Sequence, residues 1–126
     1  MKKLILITMI FVCGAISAAA QKPAEIKFDE TTHHFGEFSQ ENAVLTCQFT
    51  FTNVGEEPLI INQAMASCGC TVAKYPKEPI MPGGKGSIDV KYNGVGKPLG
   101  PFRKDITVRS NGAVEITHLI IDGTMK

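Results

Sequence analysis

The chain has 126 residues, a formal net charge of +1, 44% hydrophobic and 7% aromatic residues, and four cysteines. That composition is ordinary for a globular protein and excludes a strongly charged nucleic-acid or membrane-surface binder. No segment carries the roughly 20 consecutive apolar residues that a spanning helix needs.

The N-terminus reads as a cleavable secretory signal over residues 1–20. Lys2 and Lys3 form the positive start. Residues 4–14 are apolar except Thr8, and residues 15–20 are small, with Ala18 and Ala20 at the positions that signal peptidase requires. Cleavage is expected after Ala20. The bulky Phe11 and Val12 before Cys13 argue against a lipid-attachment site. Residues 21–126 then form a single domain of common size. Lys2 and Lys3 leave with the signal, so 11 basic residues stand against 12 acidic ones, a net charge of −1. No membrane span is expected after cleavage, and no nucleic-acid partner.

Residues 25–29 and 34–38 read as one or two opening strands. Residues 43–53 alternate cleanly, with Leu45, Cys47, Phe49 and Phe51 on one side and Thr46, Gln48, Thr50 and Thr52 on the other. This is a half-buried strand. Residues 54–58 form a turn, and residues 59–62 begin the next strand. The periodicity fades over residues 64–79. Met81-Pro82-Gly83-Gly84 suits a type II turn, in which proline presets one φ and glycine supplies the positive one. Residues 87–92 alternate again, with Ile88, Val90 and Tyr92 on one face. Residues 102–109 and 114–123 are two further strands, and Asn111-Gly112 between them predicts a tight hairpin. About seven short strands without a helix predict a sandwich or barrel.

The segment richest in chemistry is Met65-Ala66-Ser67-Cys68-Gly69-Cys70-Thr71. On an extended chain Cys68 and Cys70 face the same side, and Gly69 lets the backbone bend between them. An exported protein meets oxidising conditions. If residues 43–53 and 59–66 form a hairpin, Cys47 opposes Ala64 and Cys68 lies on the order of 13 Å away. A disulfide needs Cα atoms within about 7 Å, so Cys47 is expected to be a buried core thiol. Three readings of Cys68 and Cys70 stand side by side. They form a strained, reducible disulfide, they bind a soft metal such as copper, or they tie down a turn. In the metal reading Cys68, Cys70 and Met65 are the candidate ligands, with Met81, His33 or His34 as further donors. His33 and His34, adjacent on a strand, point to opposite faces. His118, in a strand near Asp122, reads as a packed or edge residue. No nucleophile elbow, phosphate loop or dinucleotide fingerprint is present.

Several of these segments fall into one pattern. His34-Phe35-Gly36-Glu37 is followed by Phe49-Thr50-Phe51-Thr52-Asn53-Val54-Gly55, by Pro58-Leu59-Ile60-Ile61, by Ser67-Cys68-Gly69-Cys70-Thr71, and by the Pro82-Gly83-Gly84 turn. Over about residues 27–124 this resembles the bacterial family called domain of unknown function 1573. That family is similar to the Hydin-type (ASH) immunoglobulin-like domains and to the major sperm protein fold. The resemblance implies an all-β, immunoglobulin-like β-sandwich of seven to eight antiparallel strands, extracytoplasmic in bacteria. It marks Cys68 and Cys70 as signature residues and brings no catalytic residue. By analogy with the eukaryotic domains it also implies protein binding.

The expected function is therefore a secreted, non-enzymatic binding or scaffold module, periplasmic or attached to the cell envelope, with an envelope protein as partner and no cofactor. The alternative is a thiol-redox or copper-handling protein that uses the Cys-Gly-Cys motif.

Overall fold

Alternation of apolar and polar residues builds the two layers of the molecule. The computed structural model describes residues 22–126. The signal read over residues 1–20, with its cleavage site after Ala20, lies outside the described residues. Eight strands follow in chain order: β1 (Ile26–Phe28), β2 (Thr32–Phe38), β3 (Val44–Asn53), β4 (Ile61–Ala66), β5 (Thr71–Lys74), β6 (Lys85–Asn93), β7 (Gly100–Ser110) and β8 (Ile116–Met125). One turn of 3-10 helix, Gln40–Asn42, is the only helical element among the described residues.

One sheet has the order β1-β3-β6-β5 and the other β2-β8-β7-β4. With strands lettered A to G, these are the ABED and CFG sheets of an immunoglobulin-type sandwich, with β2 added beside β8. All pairings are antiparallel except β2 with β8, which is parallel. Here the chain passes from β1 in one sheet to β2 in the other without a hairpin to reverse it.

The inward residues meet in one core. Phe49 and Phe51 from β3 and Ile88, Val90 and Tyr92 from β6 face Ile106 and Val108 from β7 and Leu119 and Ile121 from β8. The alternation of β3 and β6 is thus the alternation of a sheet with one dry face.

Two local expectations are corrected. β3 and β4 do not form a hairpin, because β3 pairs with β1 and β6, and β4 pairs with β7. Asn53, fully buried at the end of β3, bends the chain across to the other sheet. Its Nδ2 donates to the carbonyls of Glu57 (2.8 Å) and Ile80 (2.9 Å), and its Oδ1 accepts from the amides of Gly55 (2.9 Å) and Glu25 (3.2 Å). Asn111-Gly112 is likewise not a two-residue hairpin. Arg109 pairs with Ile116, and the Ser110 amide reaches the Glu115 carbonyl across a longer loop. Asn111 is committed elsewhere. Its Oδ1 accepts from the Ile60 amide (2.8 Å) and its Nδ2 donates to the Pro58 carbonyl (3.1 Å). Tertiary bonds to the β3–β4 connection outweigh the local turn preference of Asn-Gly.

The Met81–Gly84 turn closes with the Gly84 amide on the Met81 carbonyl at 2.7 Å, and Gly83 has φ 83°. Pro82 before that glycine is the geometry of a type II turn. The Gly83 amide also reaches the Asn53 carbonyl (2.8 Å), so the turn is pinned to the end of β3.

Candidate functional site

The chain crosses between the sheets a second time after β4, and Cys68 and Cys70 lie in this crossing. β4 belongs to one sheet and β5 to the other, so residues 67–70 bridge two edge strands. Ser67 anchors the crossing to β7. Its amide donates to the Asp105 carbonyl (3.0 Å), and its Oγ accepts from the Asp105 amide (3.3 Å). On the other side the Asn93 amide of β6 donates to the Cys70 carbonyl (2.8 Å), and the Thr71 amide donates to the Cys68 carbonyl (3.3 Å).

Between these anchors Cys68 and Cys70 are joined by a disulfide, with Cα atoms 5.4 Å apart. The Cys70 amide donates to Cys68 Sγ (3.3 Å). Cys70 packs against the core, and its Sγ lies 3.7 Å from the hydroxyl oxygen of Thr71, a residue only 5% exposed. The motif therefore has a division of labour. Ser67 fastens the crossing, and Thr71 faces one sulfur. Ser or Thr beside a cysteine carries no sequence signal for either role.

Cys47 is the free cysteine among the described residues. It is half-buried on β3, pairs with Val90 across the sheet, and packs against the core cluster. Burial pushes its thiol from the ordinary 9.0 up to about 11. It stays protonated at neutral pH and is a poor nucleophile there. The sign of the linkage is fixed by that shift. Above pH 9 the unfolded chain releases this proton while the folded chain keeps it until about pH 11, so stability falls across that window. Denaturant melts at pH 8 and pH 10.5 are expected to show that loss in the natural chain and a smaller one in Cys47→Ala.

The other sulfur and imidazole candidates are scattered. Met65 is exposed on β4 and pairs with Thr107 of β7. Met81 sits in the turn at the Asn53 end, whereas Cys70 is bonded to Asn93, which pairs with Val44 at the other end of β3. His33 packs edge-on against Phe35, while His34 Nδ1 lies 2.9 Å from Asp122 on the surface. His118 stands beside Thr107 at 3.4 Å. Among the described residues no three His, Cys, Asp or Glu side chains are grouped to hold a metal. The joined sulfurs of Cys68 and Cys70 offer no thiolate in this state.

A further feature was not visible in the sequence. The outer face of the β3-β6-β5 layer carries a shallow groove of about 400 Å³ lined by Thr46, Cys47, Gln48, Val72, Lys74, Asp89, Val90 and Lys91. It adjoins β5, an edge strand bonded only to β6 within its sheet. Apart from Cys47 and Val90, which also pack in the core, the lining residues read as ordinary wet-face residues, and only pairing three strands brings them together.

The family model "Protein of unknown function (DUF1573)" matches residues 26–125. The chain belongs to the DUF1573 family. Among curated proteins none matches it. Several solved structures are similar to this DUF1573 chain. A protein of unknown function from Porphyromonas gingivalis aligns with a TM-score of 0.69 at 16% identity, over 87% of this chain and 50% of that one. This chain thus spans about half the length of that relative. The ASH / PapD-like domain 7 of human CEP192 aligns at 0.62 and 8% identity, over 94% of this chain and 98% of that domain. The Vibrio cholerae VesB protease aligns at 0.60 and 13% identity, over 81% of this chain but 32% of that one. At these identities the likeness is one of fold. No helix among the described residues is long and apolar enough to cross a membrane.

Proposed function

We propose that this DUF1573 chain is a secreted, non-enzymatic binding module of the bacterial cell envelope, exported by the signal over residues 1–20. It engages an extended segment of an envelope protein along β5. The observation that carries this reading is the open outer edge of β5 with the groove beside it. An added strand gains main-chain hydrogen bonds from such an edge, and its alternate side chains find pockets on the sheet face. Val72, 51% exposed on β5, supplies an apolar contact there, and Lys74, Lys91 and Asp89 supply charged ones. The extended match to a complete ASH / PapD-like domain supports a module that acts as a whole domain.

Val72→Glu places a charge on the edge without touching the core. In pull-downs from envelope extract, the natural chain is expected to retain the same protein reproducibly. Val72→Glu is expected to lose at least about tenfold of that retention, the effect of one well-placed apolar contact, with an unchanged circular dichroism spectrum. Equal retention by both, or none by either, would contradict the proposal.

A further inference from the structure

The crossing between β4 and β5 has fastenings besides its disulfide. Four hydrogen bonds, to Asp105 twice, to Asn93 and to the Cys68 carbonyl, already fasten residues 67–71. The Cys68–Cys70 bond encloses a single residue, and the stabilisation from a cross-link grows with the loop it closes. Gly69 is also not demanded by the chain's own packing. It does not have a positive φ, and a Cβ at this position would meet nothing within 4 Å. Gly69 itself is exposed, and the space beside it is open. Both cysteines are partly exposed.

We propose that Cys68–Cys70 is a thiol–disulfide exchange site that takes two electrons from a cysteine-type dithiol. The proposal stands on the geometry of the crossing and goes beyond the binding reading. Cys70 packs against the core and Cys68 is the outer sulfur, so the entering thiolate bonds to Cys68 Sγ. The Cys68–Cys70 bond breaks, and its electron pair stays on Cys70 Sγ as a thiolate. The Thr71 hydroxyl, 3.7 Å away, donates to that charge. The donor's second thiolate then attacks its own sulfur in the mixed disulfide. The donor leaves as a disulfide, and the electron pair goes to Cys68 Sγ, which faces the Cys70 amide at 3.3 Å. Each departing sulfur thus has its own donor, and a lower leaving-group pKa speeds exchange. Cys47, half-buried against the core, takes no part.

The test treats the folded mature chain with dithiothreitol in native buffer. Samples are quenched by alkylation, and mass mapping of Cys68 and Cys70 is set against circular dichroism on the same time course. Both cysteines are expected to become labelled while the strand signal is retained. Thr71→Val is expected to slow labelling about tenfold, the effect of losing a hydrogen bond to a charged group. Thr71→Ser, which keeps the hydroxyl, is expected to restore the rate. With reduced glutathione in place of the dithiol, the trapped adduct is expected on Cys68. Labelling that appears only in denaturant would overturn the proposal. So would an adduct on Cys70, or a Thr71→Val rate equal to that of the natural chain. The denaturant comparison on the natural chain decides the matter even if Thr71→Val does not fold.

Discussion

Asn53→Ala is expected to be the most damaging polar substitution in the chain, lowering stability by about 3–5 kcal/mol. The residue is fully buried, and its amide makes four hydrogen bonds to main-chain groups of Glu25, Gly55, Glu57 and Ile80. Those groups belong to three separate segments: the lead into β1, the β3–β4 connection, and the residue before the Met81–Gly84 turn. Alanine removes all four bonds at once and strands main-chain donors and acceptors away from water, which costs more than losing a bond in solvent. Asn53→Asp is not a rescue. A carboxylate still accepts from Gly55 and Glu25, but it faces the Glu57 and Ile80 carbonyls with no hydrogen to donate. Urea titration checks this through a lower midpoint at unchanged slope.

Phe51→Ala is expected to cost about 3–5 kcal/mol, the range for emptying a large buried aromatic site. Phe51 has no exposed surface, and it meets Phe28 edge-on at 5.5 Å between ring centres. Its ring also explains a glycine on the neighbouring strand. A Cβ on Gly86 would lie 2.7 Å from the tip of the Phe51 ring. Gly86→Ala alone therefore overpacks the site and is expected to cost about 1–3 kcal/mol. The smaller side chain of Phe51→Leu vacates part of that space. The double variant Gly86→Ala, Phe51→Leu should cost clearly less than the two single losses added, because residues in contact couple. Additive losses in a double-mutant cycle would mean that the two positions do not share space as described.

Much of this architecture was legible because half-buried strands write their environment into the chain with a period of two. β3 and β6 each have one dry face, so Phe49, Phe51, Ile88, Val90 and Tyr92 stand out against threonines and charges. The connections were less legible, and for a physical reason. A hairpin and a crossing between sheets both need a short polar loop, so residues 54–58 look the same in either case. What decides between them is the buried side chain of Asn53, whose partners lie up to 28 residues away in sequence. The fading pattern over residues 64–79 was itself informative in retrospect. Here the chain is leaving one sheet for the other, and neither side of it is uniformly buried.

The candidate site was half legible. Two cysteines separated by one glycine pointed to Cys68 and Cys70, and family resemblance pointed to the same residues. The β3–β4 hairpin expected to hold Cys47 apart from them does not form. Among the described residues Cys47 nevertheless remains unpaired, because it lies mid-strand on β3, opposite Val90, while Cys68 and Cys70 occupy the crossing. The roles of Ser67, Thr71 and Asp105 depend on which strands flank that crossing, and local sequence carries no such information.

The pairing of these three cysteines is the claim on which the site stands or falls. Peptide mapping by mass spectrometry, on the folded protein alkylated without reductant, puts it to the test. A Cys68–Cys70 linked peptide is expected, with alkylation of Cys47 once the chain is unfolded. A disulfide from Cys47 to either of the others would contradict both the strand placement and the exchange site built on it.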